Sequence, residues 1–296
     1  MMTNTTTAPA WLDRSLFPFK SNFLQLKAGR MHYIDEGSGP VIIFIHGTPT
    51  WSFLYRELIK TFSKNYRCIA PDHIGFGLSD KPYDFAGTPQ SHSRNLAEFI
   101  GQLGLQKFTL VVHDFGGPIG LSYAVQDPER IEGIILFNTW LWETASNKEI
   151  QKADRLLNSS LGKLLYLWLN FSPKMLLKKG FADKSKLSKE MHQHYILPFP
   201  DKDSRRSLLN IGKSLMGASG WYQQQWDVLN SISHKPWLIL WGTKDRFINL
   251  DYLAKWKQRL PHAKVVELAC GHFVQEEKAK ESILEIQNFI HQQTDQ

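Results

Sequence analysis

Six short runs of apolar and β-branched residues punctuate the chain, each bounded by turn residues: VIIFIHG (41–47), YRCIAPD (66–72), FTLVVHD (108–114), IEGIILFN (131–138), PWLILWG (236–242) and AKVVELA (263–269). Runs this continuous do not alternate between an apolar and a polar face, so both faces of each strand must be buried. Helix-friendly stretches at 53–63, 91–103, 118–127, 250–259 and 276–293 separate them. Strands alternating with helices predict a mostly parallel sheet covered on both sides, an α/β architecture. Ahead of them FLQLKAGRMHYIDEG (23–37) reads as an antiparallel hairpin pair. The 296 residues are ample for such a core.

The alternation stops between about 140 and 221. There the pattern predicts only helices, at 147–158, 161–170, 173–180, near 188–196 and at 204–216. An all-helical insertion between two strands of a parallel sheet is best placed as a cap over the carboxyl edge, where open α/β sheets bind their ligands. The expected division is a core of 1–139 and 222–296 with a helical cap of 140–221. The tails, 1–9 and 292–296, are expected to fray.

Composition excludes several classes. Hydrophobic residues at 42% and charged residues at 21% suit a soluble globular enzyme. The net charge of +7 is scattered, and its densest clusters, 174–189 and 202–213, read as solvated helical faces rather than a nucleic-acid or membrane patch. Cys68 and Cys270 cannot form a disulfide framework, and no His/Cys group has zinc spacing. The opening MMTNTTTAPAWLDRSLFPFK lacks the charged and apolar regions of a signal peptide, and no apolar run reaches the roughly 20 residues of a membrane span. The expectation is a cytoplasmic protein, a monomer or weak homo-oligomer, without metal or organic cofactor.

The chemistry concentrates at TLVVHDFGGPIG (109–120). A buried strand turns sharply into a helix, with Asp114 at the tip and Gly116 and Gly117 just beyond. This is the pattern of a nucleophile elbow, whose tight backbone needs glycine beside it. Taken alone, Asp114 could equally be a helix cap. Asp245 in LILWGTKDRF and His272 in ELACGHFV each follow a later strand, giving the chain order nucleophile, acid, histidine. A carboxylate with an ordinary pKa of about 3.9 is ionised at neutral pH and attacks without a base. It suits an sp³ carbon bearing a leaving group or a strained ring. His272, oriented by Asp245, would then activate water against the resulting ester. Backbone N–H groups of Thr48 and Phe115 would hold the oxyanion.

The motifs HGTPTWSFLYR (46–56), PDHIGFGLSDKP (71–82), VVHDFGG (111–117), LFNTW (136–140), WGTKD (241–245) and GHF (271–273) resemble those of haloalkane dehalogenases, in the subfamilies whose catalytic acid follows the strand after the cap. The likeness spans about 23–292. It implies the α/β-hydrolase fold, Asp114 as nucleophile, His272 as base, Asp245 as its orienting acid, and Thr48 and Phe115 as oxyanion donors. It also implies carbon–halogen cleavage of a small hydrophobic haloalkane, with water as second substrate.

Two positions depart from the pattern. Such enzymes carry tryptophan directly after the nucleophile and many carry asparagine in HGNPT, both halide ligands, where this chain has Phe115 and Thr48. Phenylalanine has no N–H to give. An indole of Trp140, Trp142 or Trp168, in or near the cap, would restore a donor, unless these rings simply pack cap against core. Trp51 and Trp241 read as packing. The alternative, an epoxide hydrolase, needs cap tyrosine hydroxyls, for which Tyr166, Tyr195 and Tyr222 are available. Related coelenterazine-type luciferases and β-lactone decarboxylases show that the scaffold hosts other chemistry. A receptor-like protein with an idle pocket is the reading from outside enzymology.

Overall fold

The computed structural model describes residues 9–294, so the expected fraying falls largely outside the described residues. Eight strands form one sheet: β1 (Asn22–Leu26), β2 (Gly29–Glu36), β3 (Val41–Ile45), β4 (Arg67–Pro71), β5 (Phe108–His113), β6 (Ile131–Phe137), β7 (Trp237–Gly242) and β8 (Lys264–Leu268). Their spatial order is β1-β2-β4-β3-β5-β6-β7-β8. The hairpin β1–β2 and the pair β2–β4 are antiparallel. Every pair from β4 to β8 is parallel.

Strand periodicity divides the core in two. On the central strands Ile43, Ile45, Leu110, Val112, Ile134, Leu136 and Ile239 enter one apolar cluster. Their chain neighbours Ile42, Phe44, Val111, Ile135, Leu238 and Leu240 enter the other. Successive side chains of a strand point to opposite faces, so a run without polar residues obliges helices to cover both sides.

Those helices are α1 (Arg56–Phe62), α2 (Pro89–Gln102) and α3 (Gly116–Gln126). In the insertion come α4 (Lys148–Asn158), α5 (Ser160–Lys163), α6 (Leu177–Gly180), α7 (Lys189–Ile196), α8 (Arg206–Gly217) and α9 (Ser219–Asp227), and then α10 (Asn230–Ser233), α11 (Leu250–Arg259), α12 (Val274–Glu277) and α13 (Ala279–Thr294). Helix α9, which the sequence pattern does not announce, runs through the expected boundary at 221/222. The single helix expected at 161–170 is α5 followed by a π-helical turn, Leu164–Trp168. It ends where Asn170 takes a left-handed φ of 53° and gives its side-chain amide to the Phe199 carbonyl. Asparagine tolerates that backbone better than most residues.

The insertion sits on loops at the carboxyl ends of the strands. Trp51, after β3, gives its indole N–H to the His194 carbonyl of α7. The Tyr195 hydroxyl meets Glu276 of α12, which also forms a two-pronged ion pair with buried Arg56, at 2.6 and 2.7 Å. The backbone N–H of His272 donates to Gly180 O at 2.7 Å.

Candidate active site

Asp114 follows β5 directly and has φ 52°. This left-handed backbone is uncommon for a residue with a Cβ and stores strain that the surroundings must hold. The hold is visible at its neighbours. A Cβ added to Gly117 would lie 1.9 Å from Thr139 Oγ1, the hydroxyl that donates to Asp114 O at 2.5 Å. A Cβ on Gly47 would lie 2.3 Å from Asp114 Oδ1. The glycines of the two loops therefore serve close approach, and the carboxylate emerges between them.

Asp114 is not the cap of α3. Its Oδ1 accepts the Thr48 backbone N–H at 2.8 Å, across from the loop after β3, and α3 begins without any side-chain cap. Its Oδ2 faces His272 Nε2 at 3.5 Å, while His272 Nδ1 bonds Asp245 Oδ2 at 2.7 Å. The three residues expected from chain order are thus assembled in one place. All three are buried.

Asp245 is saturated with donors. Its Oδ1 accepts the N–H groups of Phe247 and Ile248, and its Oδ2 accepts Asn138 Nδ2 at 2.9 Å beside the imidazole. Asn138 itself accepts from Gly242 N at 2.8 Å and so locks the ends of β6 and β7 together. Sequence reasoning missed Asn138 and Thr139. Their signal was a polar pair closing an otherwise apolar strand within LFNTW.

Electrostatics follow from this geometry. Burial pushes the Asp114 carboxyl up, yet the hydrogen bond and charge of His272, with the Phe115 N–H, outweigh it and hold the group below the usual carboxylate range. Burial alone would lower His272, but the charge of Asp245 and the contacts with Asp114 raise it to about 10. At neutral pH the resting pair is carboxylate and imidazolium. Esterifying Asp114 would remove its charge and its bond to the ring, which lowers the imidazolium's pKa so that it gives up its proton and is free to act as a base only after the first step.

Phe115 is buried and meets Trp140 edge to face, at 4.9 Å and 79°. Tyr222 also meets Trp140, at 5.7 Å and 78°. The Trp140 indole N–H is buried without a hydrogen-bond partner, and so is the Thr48 hydroxyl. The other cap tryptophans are placed differently. Trp142 packs among Trp226, Tyr252 and Trp256. Trp168 is 63% exposed, which removes it as an indole donor to this site: its helical turn presents the ring outward. Trp51 is packed and its N–H used. Trp241 is fully buried.

Among the cap tyrosines, Tyr195 is committed to Glu276 and Tyr222 donates to Ser214 O. Only Tyr166, whose hydroxyl is pushed up to about 12 by burial, has no such commitment among the described residues. A separate cleft of about 410 Å³, lined by Pro40, Val41, Lys107, Ile131 and Pro236, opens at the amino ends of the parallel strands, away from this chemistry. Among the described residues no cluster of His, Cys, Asp or Glu is arranged to hold a metal ion, and no helix is long and apolar enough to cross a membrane.

Comparison with known proteins agrees with the architecture. The profile of the alpha/beta hydrolase fold family matches residues 40–279. Haloalkane dehalogenase 2 of Mycobacterium tuberculosis is 34% identical over 268 residues, covering 90% of this chain and 93% of the relative. A cis-3-alkyl-4-alkyloxetan-2-one decarboxylase of Shewanella oneidensis is 35% identical over 288 residues, covering 93% and 90%. The crystal structure of a haloalkane dehalogenase from Bradyrhizobium elkani superposes with a TM-score of 0.85 at 22% identity, over 94% of this chain and 99% of that one, a likeness of fold alone. Family profile, relatives and topology converge: the chain is an enzyme belonging to the alpha/beta hydrolase fold family.

Proposed function

We propose that this hydrolase displaces halide from the sp³ carbon of a small hydrophobic haloalkane through an ester on Asp114. The observation that carries the reading is the asymmetric hold on that carboxylate, with Oδ1 on the Thr48 N–H and Oδ2 left facing His272. Oδ2 attacks the carbon, the carbon–halogen bond breaks, and halide leaves with the bonding pair. Water, deprotonated by His272, then adds to the ester carbonyl, and the oxyanion forms at Oδ1 against the Thr48 and Phe115 N–H groups. Collapse expels the alcohol and restores Asp114. Asp245 keeps Nδ1 protonated and the ring in place. No metal or organic cofactor enters the scheme.

The departing anion needs donors that Phe115 cannot supply. The Trp140 N–H and the Thr48 hydroxyl, both buried and unpartnered, are proposed to take that role in place of the expected tryptophan and asparagine. The commitment of Tyr195 and Tyr222 elsewhere leaves an epoxide reading with Tyr166 alone.

A second reading is a four-membered lactone substrate, as in the name of the Shewanella relative. It is favoured by Phe115, since a ring-opened carboxylate stays tethered to the substrate and demands less of a dedicated halide cradle. The test is a His272→Phe variant offered bromoalkanes, epoxides and a cis-3,4-dialkyl oxetan-2-one, read by intact mass. An alkyl adduct on Asp114 from bromoalkanes supports the main reading. No bromoalkane adduct, with carbon dioxide released from the oxetanone by the wild type, transfers support to the second. Labelling by epoxides alone restores the epoxide alternative.

A further inference from the structure

The cap carries an outward surface that the chemistry at Asp114 does not use. Of the large apolar side chains exposed among the described residues, six fall within 20 positions of one another: Leu156, Leu161, Leu164, Trp168, Leu169 and Met175. Leu161, Leu164 and Trp168 recur at the spacing of one helical face, across α5 and the π-helical turn after it. Exposed apolar residues scattered singly need no explanation, but six gathered within one short stretch of chain call for one.

Charge decides the kind of partner. Between Asp154 and Asp183 the chain has no acidic residue, while Arg155, Lys163, Lys174, Lys178 and Lys179 are all present and exposed. None of these five forms an ion pair among the described residues. Lys202 adds a further cation 5.5 Å over the Trp168 ring. The nearby acids are spent locally, Asp203 on Arg206 and Asp201 on the Ser204 N–H. A second copy of this chain docked face to face would bring together two surfaces whose unpaired cations outnumber the few acids beside them, which like-charge repulsion opposes. An apolar stripe with tryptophan and leucine, in a stretch of chain whose exposed lysines lack ion pairs, is instead the composition of a segment lying in the interface of an anionic bilayer.

We propose that residues 155–179 of the cap form a peripheral docking surface for anionic lipid, with Leu161, Leu164 and Trp168 seated among the acyl chains and the lysines on the headgroups. This reassigns part of the basic 174–189 cluster from a plain solvated face to a membrane contact. It stands independently of which bond the enzyme cleaves.

The test is cosedimentation of the full chain with vesicles of phosphatidylglycerol and phosphatidylcholine in equal parts, against vesicles of phosphatidylcholine alone. Binding is expected to the anionic vesicles and to weaken as salt rises. Each basic residue at such a surface is worth roughly a fivefold change in partitioning, so Lys174→Gln, Lys178→Gln and Lys179→Gln together should lower it roughly 100-fold. The pair Leu164→Ser and Trp168→Ser should abolish detectable binding, and because both side chains are exposed the folded spectrum should persist. Failure to bind anionic vesicles at low salt overturns the proposal, as does binding that survives the serine pair. A dimer seen by light scattering that the serine pair dissolves would also overturn it, assigning the face to self-association.

Discussion

His272 Nε2 stands 3.5 Å from Asp114 Oδ2, so the group proposed to complete the reaction is electrostatically tied to the group proposed to begin it. While Asp114 carries its charge the imidazole is held up at about 10. The Asp114→Asn variant should therefore move His272 down toward its ordinary range, measured by ring-proton titration in NMR. The same shift has a signature in stability. A histidine with a raised folded-state pKa contributes fully below its unfolded value of about 6.5, and the contribution fades as pH rises through about 10. The stability difference between wild type and Asp114→Asn should accordingly shift against the wild type between those limits in chemical denaturation. A difference that does not vary with pH would refute the coupling.

Trp140→Phe keeps an aromatic ring against Phe115 and Tyr222 but removes the unpartnered N–H. A buried donor to an anion is worth about 1.5–3 kcal/mol. The expected result is a kcat lower by roughly ten- to a hundredfold on bromoalkanes, with denaturation midpoint unchanged or raised. An unchanged kcat would return Trp140 to packing alone.

Asn138→Ala withdraws an amide that touches Asp245, Gly242 and Ile248 at once. Leaving those groups buried and unpaired should destabilise the fold by about 1–3 kcal/mol. Because Asp245 loses a donor beside the imidazole, kcat should also fall, and the apparent pKa of its pH profile should move. A variant that loses stability while keeping an identical pH profile would confine Asn138 to a structural role.

His92 lies buried with both ring nitrogens unpartnered, and burial lowers it to about 3. Its neutral form is the folded form, so the unfolded chain takes up a proton between about pH 6.5 and 3 that the folded chain refuses, and stability falls with acid. His92→Leu should stabilise the protein at neutral pH by about 1 kcal/mol or more. It should also flatten the acid limb of stability against pH, as followed by urea denaturation. An equally steep limb in the variant would place the acid sensitivity elsewhere. His113, also lowered to about 3, is the first place to look.

Local chemistry was readable wherever the constraint was local. Asp114 betrayed itself because a left-handed turn between a buried strand and a helix demands small neighbours, and Gly116 and Gly117 stand beside it. Strands β3 to β7 are legible because burial on both faces leaves little polar alternation, whereas β8 departs from the expected two buried faces: it is the edge strand, none of its residues is fully buried and Glu267 is exposed. Asn138 was not legible, since its amide matters through Asp245 and Gly242, more than 100 positions away in sequence. The cap aromatics were least legible. Periodicity cannot say which side of a helix faces the core once its neighbours are helices too, so Trp168 and Tyr195 looked equivalent to Trp140 and Tyr166 until packing placed them.

Glu277 accepts the N–H groups of Gly271, Ala182 and Asp183, and His272 N donates to Gly180 O. The end of α6 and the loop that carries His272 are thereby stitched along a common seam. Whatever loosens that seam also loosens the backbone that carries the imidazole facing Asp114, so a substitution at Glu277 would be felt at the ring without touching it.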